Sequence, residues 1–161
     1  HLVSTYRNQY GLSVTVLPPA AIPAELEDPK RQQVDAARLI AYMGSLFPDA
    51  YGDPQAVLIG ITPVDLYDST SHFRYVFGVK GTPSDHKAVV WVLRMNPQFY
   101  SEAADGLLFY ARTRKLISKY VGLLYYRLPT SSEPTSPMFN SIMGPGDVDR
   151  MTEPLPVAGA R

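Results

Sequence analysis

The sequence predicts a single α/β domain in which helices flank a mixed β-sheet. Three patterns favour this class: an amphipathic helix in the first third, a short apolar run typical of a buried strand, and a long helix in the last third. The 161 residues are one domain in length. A chain of about 150 residues buries roughly 70% of its unfolded surface, enough for a core. We expect the domain over residues 1–151 and a flexible tail over residues 152–161.

The composition is that of a folded domain without a general affinity for nucleic acid. Hydrophobic residues make up 45% of the chain and charged residues 19%, which argues against disorder. Fifteen basic and fifteen acidic residues give a net charge of zero, so no bulk attraction to nucleic acid or anionic membrane is expected. No apolar run reaches the roughly 18 residues of a transmembrane segment.

Cysteine is absent, which excludes disulfides and thiolate metal sites but fits a reducing and an oxidising compartment equally well. The chain begins with His1 instead of Met. One expectation from this start is an exported protein, periplasmic or extracellular, whose leader was cleaved. The other is a trimmed N-terminus, and the compartment stays open.

The first half of the chain is expected to hold two helices and a first strand. Residues 1–11 predict a short helix that ends near Gly11, a suitable C-cap. Residues 13–17 alternate and stop at a proline pair, which predicts the strand. Asp28 and Pro29 predict the start of the amphipathic helix, as N-cap and first helical residue. Its predicted buried stripe is Val34, Ala37, Ile40, Met43 and Phe47.

The second half is expected to hold three strands and the long helix. Residues 56–61 are an apolar run stopped by Pro63, which predicts a strand buried on both faces. Residues 74–79 and 88–95 predict an antiparallel pair at one edge of the sheet. Residues 104–126 predict a helix of about 33 Å, long enough to cross the sheet. Its predicted core positions are Leu107, Leu108, Ala111, Leu116, Val121, Leu123 and Leu124.

The long helix has the spacing of a zinc-protease motif without its ligands. In the extended metzincin signature, two His four residues apart share a helix face, Glu follows the first, and a Gly turn brings in a third His. Aligned on Gly122, these positions hold Lys115, Leu116, Lys119 and Tyr125. An ammonium repels a divalent cation, leucine cannot act as a general base, and a neutral tyrosine is a poor ligand. No zinc site of the usual kind is expected there.

Segments on both sides of this helix resemble those of archaemetzincins in order and spacing. The segments before it are residues 65–67, 73–78, 88–90 and 93–95. After it, residues 136–141 look like the family's methionine turn, centred on Met138, and residues 147–149 like the polar segment beyond. The resemblance covers roughly residues 12–151 and implies a metzincin-like fold with a former active-site helix. The family's cysteine cluster for a second zinc is missing, and Tyr126 stands at its first position.

The intact spacing with the wrong residues predicts a catalytically inactive, archaemetzincin-like domain that binds a peptide or protein or acts as a scaffold. No cofactor, metal or catalytic residue is assigned. Two alternatives stay open: an active metal-dependent peptidase with a non-standard site, and an exported structural protein that self-assembles or forms homo-oligomers. The degenerate motif positions and candidate cleft residues are Lys115, Leu116, Lys119, Gly122, Tyr125 and Met138.

Two interpretations also stay open for the side chains of the helix. Lys115 and Lys119 either replace the charge of the zinc ion and hold an anion such as a peptide carboxylate, or belong with Arg112 and Arg114 to a solvated basic face. Met138 is expected to pack in the absence of a metal. The nearby aromatic residues either line a peptide groove or pack at the rim of the core. They are Tyr110, Tyr120, Tyr125, Tyr126 and Phe139.

The three histidines match no helix-borne metal motif. His86, beside Asp85 in a polar loop, is expected to be exposed. A copper site built on a free N-terminal His1 and a second histidine is a minor alternative.

Overall fold

The structure is a computed structural model that describes residues 2–82 and 86–157. Over these residues the chain forms five α-helices and six short strands. The helices are α1 (Leu2–Tyr10), α2 (Ala36–Leu46), α3 (Pro48–Gly52), α4 (Gly106–Leu124) and α5 (Pro145–Arg150). The strands are β1 (Glu27–Asp28), β2 (Gln33–Asp35), β3 (Leu58–Thr62), β4 (Leu66–Tyr67), β5 (Gly78–Lys80) and β6 (Lys87–Trp91). None of these helices is long and apolar enough to cross a membrane.

The strands form two small sheets of mixed direction, in the orders β1-β2-β4 and β3-β6-β5. In the first sheet β1 is antiparallel and β4 parallel to β2. In the second, β3 is parallel to β6, with Leu58 opposite Lys87, and β5 is antiparallel, with Gly78 opposite Val90. The predicted class, an α/β domain with helices around mixed sheets, is confirmed. The antiparallel pair is also confirmed, although residues 74–77 are not strand and residues 93–95 form a 3-10 turn instead of strand.

The core lies where α2 and α4 pack against β6. Residues 88–91 of β6 are fully buried, and Trp91 is the largest of them. From α1, the buried Tyr6 reaches α4, where its hydroxyl lies 3.0 Å from the hydroxyl of Ser118. Burial raises the pKa of Tyr6 well above its usual value. Helix α1 ends before Gly11, as predicted, and Gly11 has a left-handed conformation. The contact between Tyr6 and Ser118 joins α1 to the long helix.

The predicted first strand, residues 13–17, is wrong. This segment has no regular structure, and Val16 is 77% exposed. Alternation alone does not make a strand, because the backbone groups need a neighbouring strand to pair with. The pairs of the two sheets do not include these residues.

The predicted start of the amphipathic helix at Asp28 is also wrong. The Asp28 carboxylate accepts from the backbone N–H groups of Lys30 and Arg31, at 2.9 and 3.2 Å, and so shapes the turn between β1 and β2. Helix α2 begins after Asp35, whose carboxylate accepts from Ala37 N at 2.8 Å. The buried face is therefore shifted: Ala37 is exposed and Phe47 only partly buried. The buried residues of α2 are Ala36, Leu39, Ile40 and Met43.

Two further burial predictions need correction. Strand β3 is not buried on both faces, since only Leu58 and Thr62 of its five residues are buried and Ile61 is 50% exposed. Helix α4 starts at Gly106, and Leu107 in its first turn is 85% exposed because it lies beyond the packed part of the helix. Ile117 and Tyr120, which were left out of the predicted core, are buried.

Residues 152–157 pack against the body of the domain. Leu155 is buried, and its N–H donates to the Tyr10 hydroxyl at 3.0 Å. Glu153 forms an ion pair of 2.8 Å with Arg114 of α4. The rest of the tail predicted over 152–161 lies outside the described residues.

Candidate ligand site on helix α4

Helix α4 carries three of the four positions at which a metzincin would hold zinc ligands and its general base, namely Lys115, Leu116 and Lys119, and the fourth, Tyr125, is its C-cap residue. Its 19 residues begin after Asp105, whose carboxylate accepts from Leu108 N at 2.8 Å. The C-terminal half is the buried half, and it packs against β6 and α5. Lys115, Leu116 and Lys119 therefore lie in the more buried part of the helix, whereas Tyr125 follows its end.

Lys115, at the first histidine position, is bound to α5. Its ammonium donates to the carbonyl oxygens of Val148 and Asp149, at 3.2 and 3.0 Å. These carbonyls lie at the C-terminal end of α5, where the Val148 carbonyl also accepts from the N–H of the C-cap residue Met151 at 3.2 Å. Lys115 thus joins two helices, and its ammonium is bound by backbone carbonyls of the protein itself.

The neighbouring arginines are likewise engaged, so the solvated basic face predicted for this helix is wrong for Arg112. This side chain is 7% exposed and donates from Nε and Nη2 to the two carboxylate oxygens of Asp149, at 2.8 and 2.7 Å. Its Nη1 donates to the Met95 carbonyl. These hydrogen bonds to the Asp149 carboxylate raise the pKa of Arg112. The spacing of the basic residues along the helix predicts a shared face, but it does not predict which other parts of the chain bind that face.

Lys119, at the second histidine position, is buried without a partner. The residue is 8% exposed, and its ammonium makes no hydrogen bond or ion pair with the described residues. Desolvation by burial lowers the pKa of Lys119 to about 8. The Lys119 ammonium is not one of the described side-chain atoms that are fully buried without a partner, so it retains a small contact with solvent. Lys119 is therefore a largely buried, poorly solvated cation.

Gly122 and Met138 are brought into contact. A β carbon added to Gly122 would lie 2.6 Å from the sulfur of Met138. Met138 is 3% exposed and sits in a turn in which its N–H donates to the Ser136 hydroxyl at 3.1 Å. The carbonyl of Met138 accepts from Ser131 N at 2.9 Å. The segment that resembles a methionine turn thus lies against the C-terminal half of α4.

The two remaining positions do not face a common metal centre with the lysines. Leu116 is 1% exposed and belongs to the core. Tyr125, at the third histidine position, is the C-cap residue of α4, is 50% exposed, and stacks edge to face on Tyr126. An engaged ammonium, a leucine and an exposed phenol do not fit a zinc ion. Nor do the described residues group three His, Cys, Asp or Glu side chains that could hold a metal.

The aromatic residues near the helix divide between core and surface. Tyr120 is buried against β5, since a β carbon at Gly78 would meet its hydroxyl at 2.6 Å, and burial raises its pKa well above the usual range. Phe139 is buried as well, whereas the ring of the half-buried Tyr126 lies 6.4 Å from that of Tyr10. Tyr120 and Phe139 therefore belong to the core, not to a groove.

The histidines stand apart from α4. His72 is exposed and stacks on Phe73. His86 is half-buried and contacts the guanidinium of Arg127, which corrects the expectation of an exposed side chain. His1 and Asp85 lie outside the described residues, so the N-terminal copper alternative does too.

Two open concavities lie elsewhere on the surface, and neither has a motif position in its lining. One, of about 690 Å³, is formed by Pro97 and residues 102–108. The other, of about 610 Å³, is lined by Arg31, Gln33, Arg74, Tyr75 and Arg94. These arginines are scattered along the chain and form no local motif, so no sequence pattern predicts that they lie together.

No protein-family profile matches the sequence, and no curated protein matches it. Solved structures nevertheless resemble this chain over most of its length. A zinc-dependent peptidase from Methanocorpusculum labreanum has a TM-score of 0.79 and 20% identity, covering 96% of this chain and 86% of its own. An archaemetzincin from Archaeoglobus fulgidus, complexed with malonate, has a TM-score of 0.68 and 22% identity, covering 94% and 85%. The archaemetzincin from Methanopyrus kandleri has a TM-score of 0.70 and 22% identity, covering 94% and 75%.

Proposed function

We propose that this chain, which has the archaemetzincin fold, does not cleave peptides through zinc bound at α4 and instead binds an anionic group of a peptide or protein partner at Lys119. The observation that carries the proposal is the partnerless, largely buried ammonium of Lys119 at a position where the fold's peptidases are expected to hold a metal ligand.

The chemistry of the remaining positions supports the loss of metal-dependent hydrolysis. A zinc peptidase needs ligands with free lone pairs and a general base beside the metal-bound water. Lys115 donates to two carbonyls of α5, and Leu116 has no proton-accepting group. Restoring the site would require Lys115 to release α5 and Tyr125 to turn from the surface.

The electrostatics of Lys119 support anion binding. A charge that is removed from water without a partner is costly, and an opposite charge placed beside it recovers part of that cost. A carboxylate is a suitable partner for a single ammonium, because it is compact and accepts charge-assisted hydrogen bonds. One structurally similar archaemetzincin was solved with malonate, a dicarboxylate, which supports the choice of carboxylate probes.

The loss of hydrolysis is tested by elemental analysis of protein purified without chelator, together with cleavage of a mixed peptide library with and without EDTA. We expect zinc far below one equivalent and no chelator-sensitive cleavage. Stoichiometric zinc with EDTA-sensitive cleavage would overturn the proposal in favour of an active peptidase with a non-standard site.

The binding role is tested by calorimetric titration with malonate and with a peptide carrying either a free or an amidated C-terminus. We expect the free carboxylate to bind more tightly than the amide, and the Lys119→Met variant to lose this preference. Lys80→Met is the matched control, because Lys80 is exposed at the end of β5. Equal affinities for the two peptides, or an unchanged preference in Lys119→Met, would contradict a carboxylate site at Lys119.

A further inference from the structure

We infer that the concavity lined by Arg31, Arg74 and Arg94 is a second anion site, which binds the phosphoryl dianion of a phosphomonoester. The concavity has a volume of about 610 Å³ and is completed by Gln33 and Tyr75. No lining residue comes from α4, so this site is separate from Lys119.

The concavity has an excess of positive charge. Arg31 and Arg74 form no ion pair with the described residues, and Arg94 forms one, of 3.2 Å, with Asp65. Three guanidinium groups against one carboxylate leave about two positive charges around one opening. Like charges held together on a folded surface repel one another, and an incoming anion removes this repulsion.

Arg94 is held in place while most of its donors stay unused. Its guanidinium carbon lies 3.7 Å from the ring centre of Tyr75, 4.5 Å from that of Trp91 and 5.0 Å from that of Phe99. The side chain is 19% exposed, and its single hydrogen bond among the described residues goes to Asp65. Its Nε is buried without an acceptor. An arginine offers five N–H donors in a fixed plane, so Arg94 can bind a further acceptor without first breaking a network.

The other two arginines project from segments whose backbone lies beside the strands of the first sheet. Arg31 follows β1 in the turn to β2, and its guanidinium stacks on the Tyr67 ring of β4 at 4.5 Å. The buried side chain of Gln33 in β2 donates to the Arg74 carbonyl at 2.9 Å. This bond fixes the backbone from which Arg74 projects. The guanidinium groups of Arg31 and Arg94 are thus positioned before a ligand arrives, which lowers the entropic cost of binding.

A phosphomonoester matches these features better than a single carboxylate. Guanidinium groups bind phosphate oxygens in a bidentate manner, and a phosphoryl group carries about −1.5 to −2 charges at pH 7. This charge is close to the excess of the site, whereas one carboxylate would leave a positive charge unmatched. The open shape leaves room for the remainder of the ester, and Tyr75 provides it with an aromatic wall.

The test uses Trp91, the only tryptophan in the chain, as a reporter of its neighbour Arg94. Inorganic phosphate and O-phosphoserine are titrated at constant ionic strength, and tryptophan fluorescence is followed alongside equilibrium dialysis with radiolabelled phosphate. We expect saturable binding of both probes, with malonate and chloride weaker by at least a factor of about 10. Tighter binding of phosphoserine than of phosphate would identify an ester as the natural source, and the reverse order would identify the free ion.

The Arg74→Gln variant should bind both phosphate probes at least about tenfold more weakly. Arg74 is exposed and its side chain has no partner among the described residues, so this change leaves the fold intact. Arg7→Gln, at an exposed arginine of α1, is the matched control and should bind as the wild type does. Binding should also weaken below about pH 6, where the dianion takes up a proton. Absence of saturable binding in both assays, equal binding of chloride, or unchanged affinity in Arg74→Gln would overturn the site.

Discussion

The sulfur of Met138 lies against the backbone of Gly122, at a distance that leaves no space for a side chain there. A β carbon on Gly122 would come within 2.6 Å of the sulfur and 3.1 Å of Leu155 Cδ2. Glycine within a helix normally costs about 1 kcal/mol relative to alanine. Here the absence of a side chain on Gly122 lets the methionine segment pack closely on α4, and this packing offsets the cost of the glycine.

The Gly122→Ala variant should therefore be less stable than the wild type, although alanine is the better helix former. Overpacking of a close contact costs about 1–3 kcal/mol, which exceeds the helix-propensity gain. Urea unfolding would show a net loss of about 1 kcal/mol. The control is Gly106→Ala in the first turn of α4, where a β carbon meets nothing within 4 Å and stability should not fall. If the two variants behave alike, Met138 does not pack on Gly122 in solution.

Removal of Asp149 should destabilise the domain by breaking the bidentate pair with Arg112. The Arg112 side chain is 8% exposed in this pair, so Asp149→Ala leaves a buried guanidinium without its anion. Because Asp149 itself is 37% exposed, water reaches the gap, and we expect a loss of about 1–3 kcal/mol in thermal or urea unfolding.

The matched control for this prediction lies on the same helix. Arg150 pairs with Asp147 across one turn of α5, but the Arg150 side chain is 59% exposed. Arg150→Ala should cost at most about 1 kcal/mol, as is usual for surface ion pairs. A loss as large as that of Asp149→Ala would show that α5 depends on its charges generally, not on the buried contact.

The sequence predicted elements with long periodic patterns and failed where short polar signals competed. Helix α4 was placed within two residues at each end, because some twenty residues share one period. The start of α2 was misplaced because Asp28 and Asp35 are both capable N-caps. The choice between them depends on the pairing of residues 33–35 with β4, a contact between distant parts of the chain.

The assignment of the N-cap predicts different costs for two aspartates. Asp35→Ala removes the acceptor for Ala37 N and Arg38 N at the start of α2 and should cost about 1 kcal/mol, within the usual range for an N-cap. Asp53→Ala, which removes only an exposed turn bond to Gln55 N, is the control and should cost a few tenths of a kcal/mol. Equal losses on urea unfolding would argue against Asp35 as the cap of α2.

The candidate site was only partly predictable for a similar reason. The spacing around Gly122 identified the correct helix, but Lys115 and Lys119 are equivalent in sequence, four residues apart on one face. Helix α5 distinguishes them: its terminal carbonyls bind Lys115 and leave Lys119 without a partner. Because α5 lies some thirty residues further along, no local pattern on α4 could separate the two lysines.

Lys119 should make the stability of the domain dependent on pH in a specific direction. Burial lowers the pKa of Lys119 from 10.5 to about 8, so between these values the unfolded chain holds a proton that the folded chain has lost. Stability from this group therefore rises with pH through that window, and below about pH 8 the full cost of the buried charge is present.

Substitution of Lys119 by methionine removes this cost while keeping the apolar stem of the side chain. At pH 7 we expect Lys119→Met to be more stable than the wild type by on the order of 1–3 kcal/mol, and the gain should shrink as the pH rises from about 8 to 10.5. Taking the difference between variant and wild type in urea unfolding cancels the contribution of buried tyrosines such as Tyr6 and Tyr120. Lys80→Met, at an exposed lysine, should show no comparable trend. A less stable Lys119→Met, or a gain that does not vary with pH, would mean that Lys119 has a counter-ion in the free protein. Lys119 would then carry no stability cost, and its burial would no longer point to a bound anion.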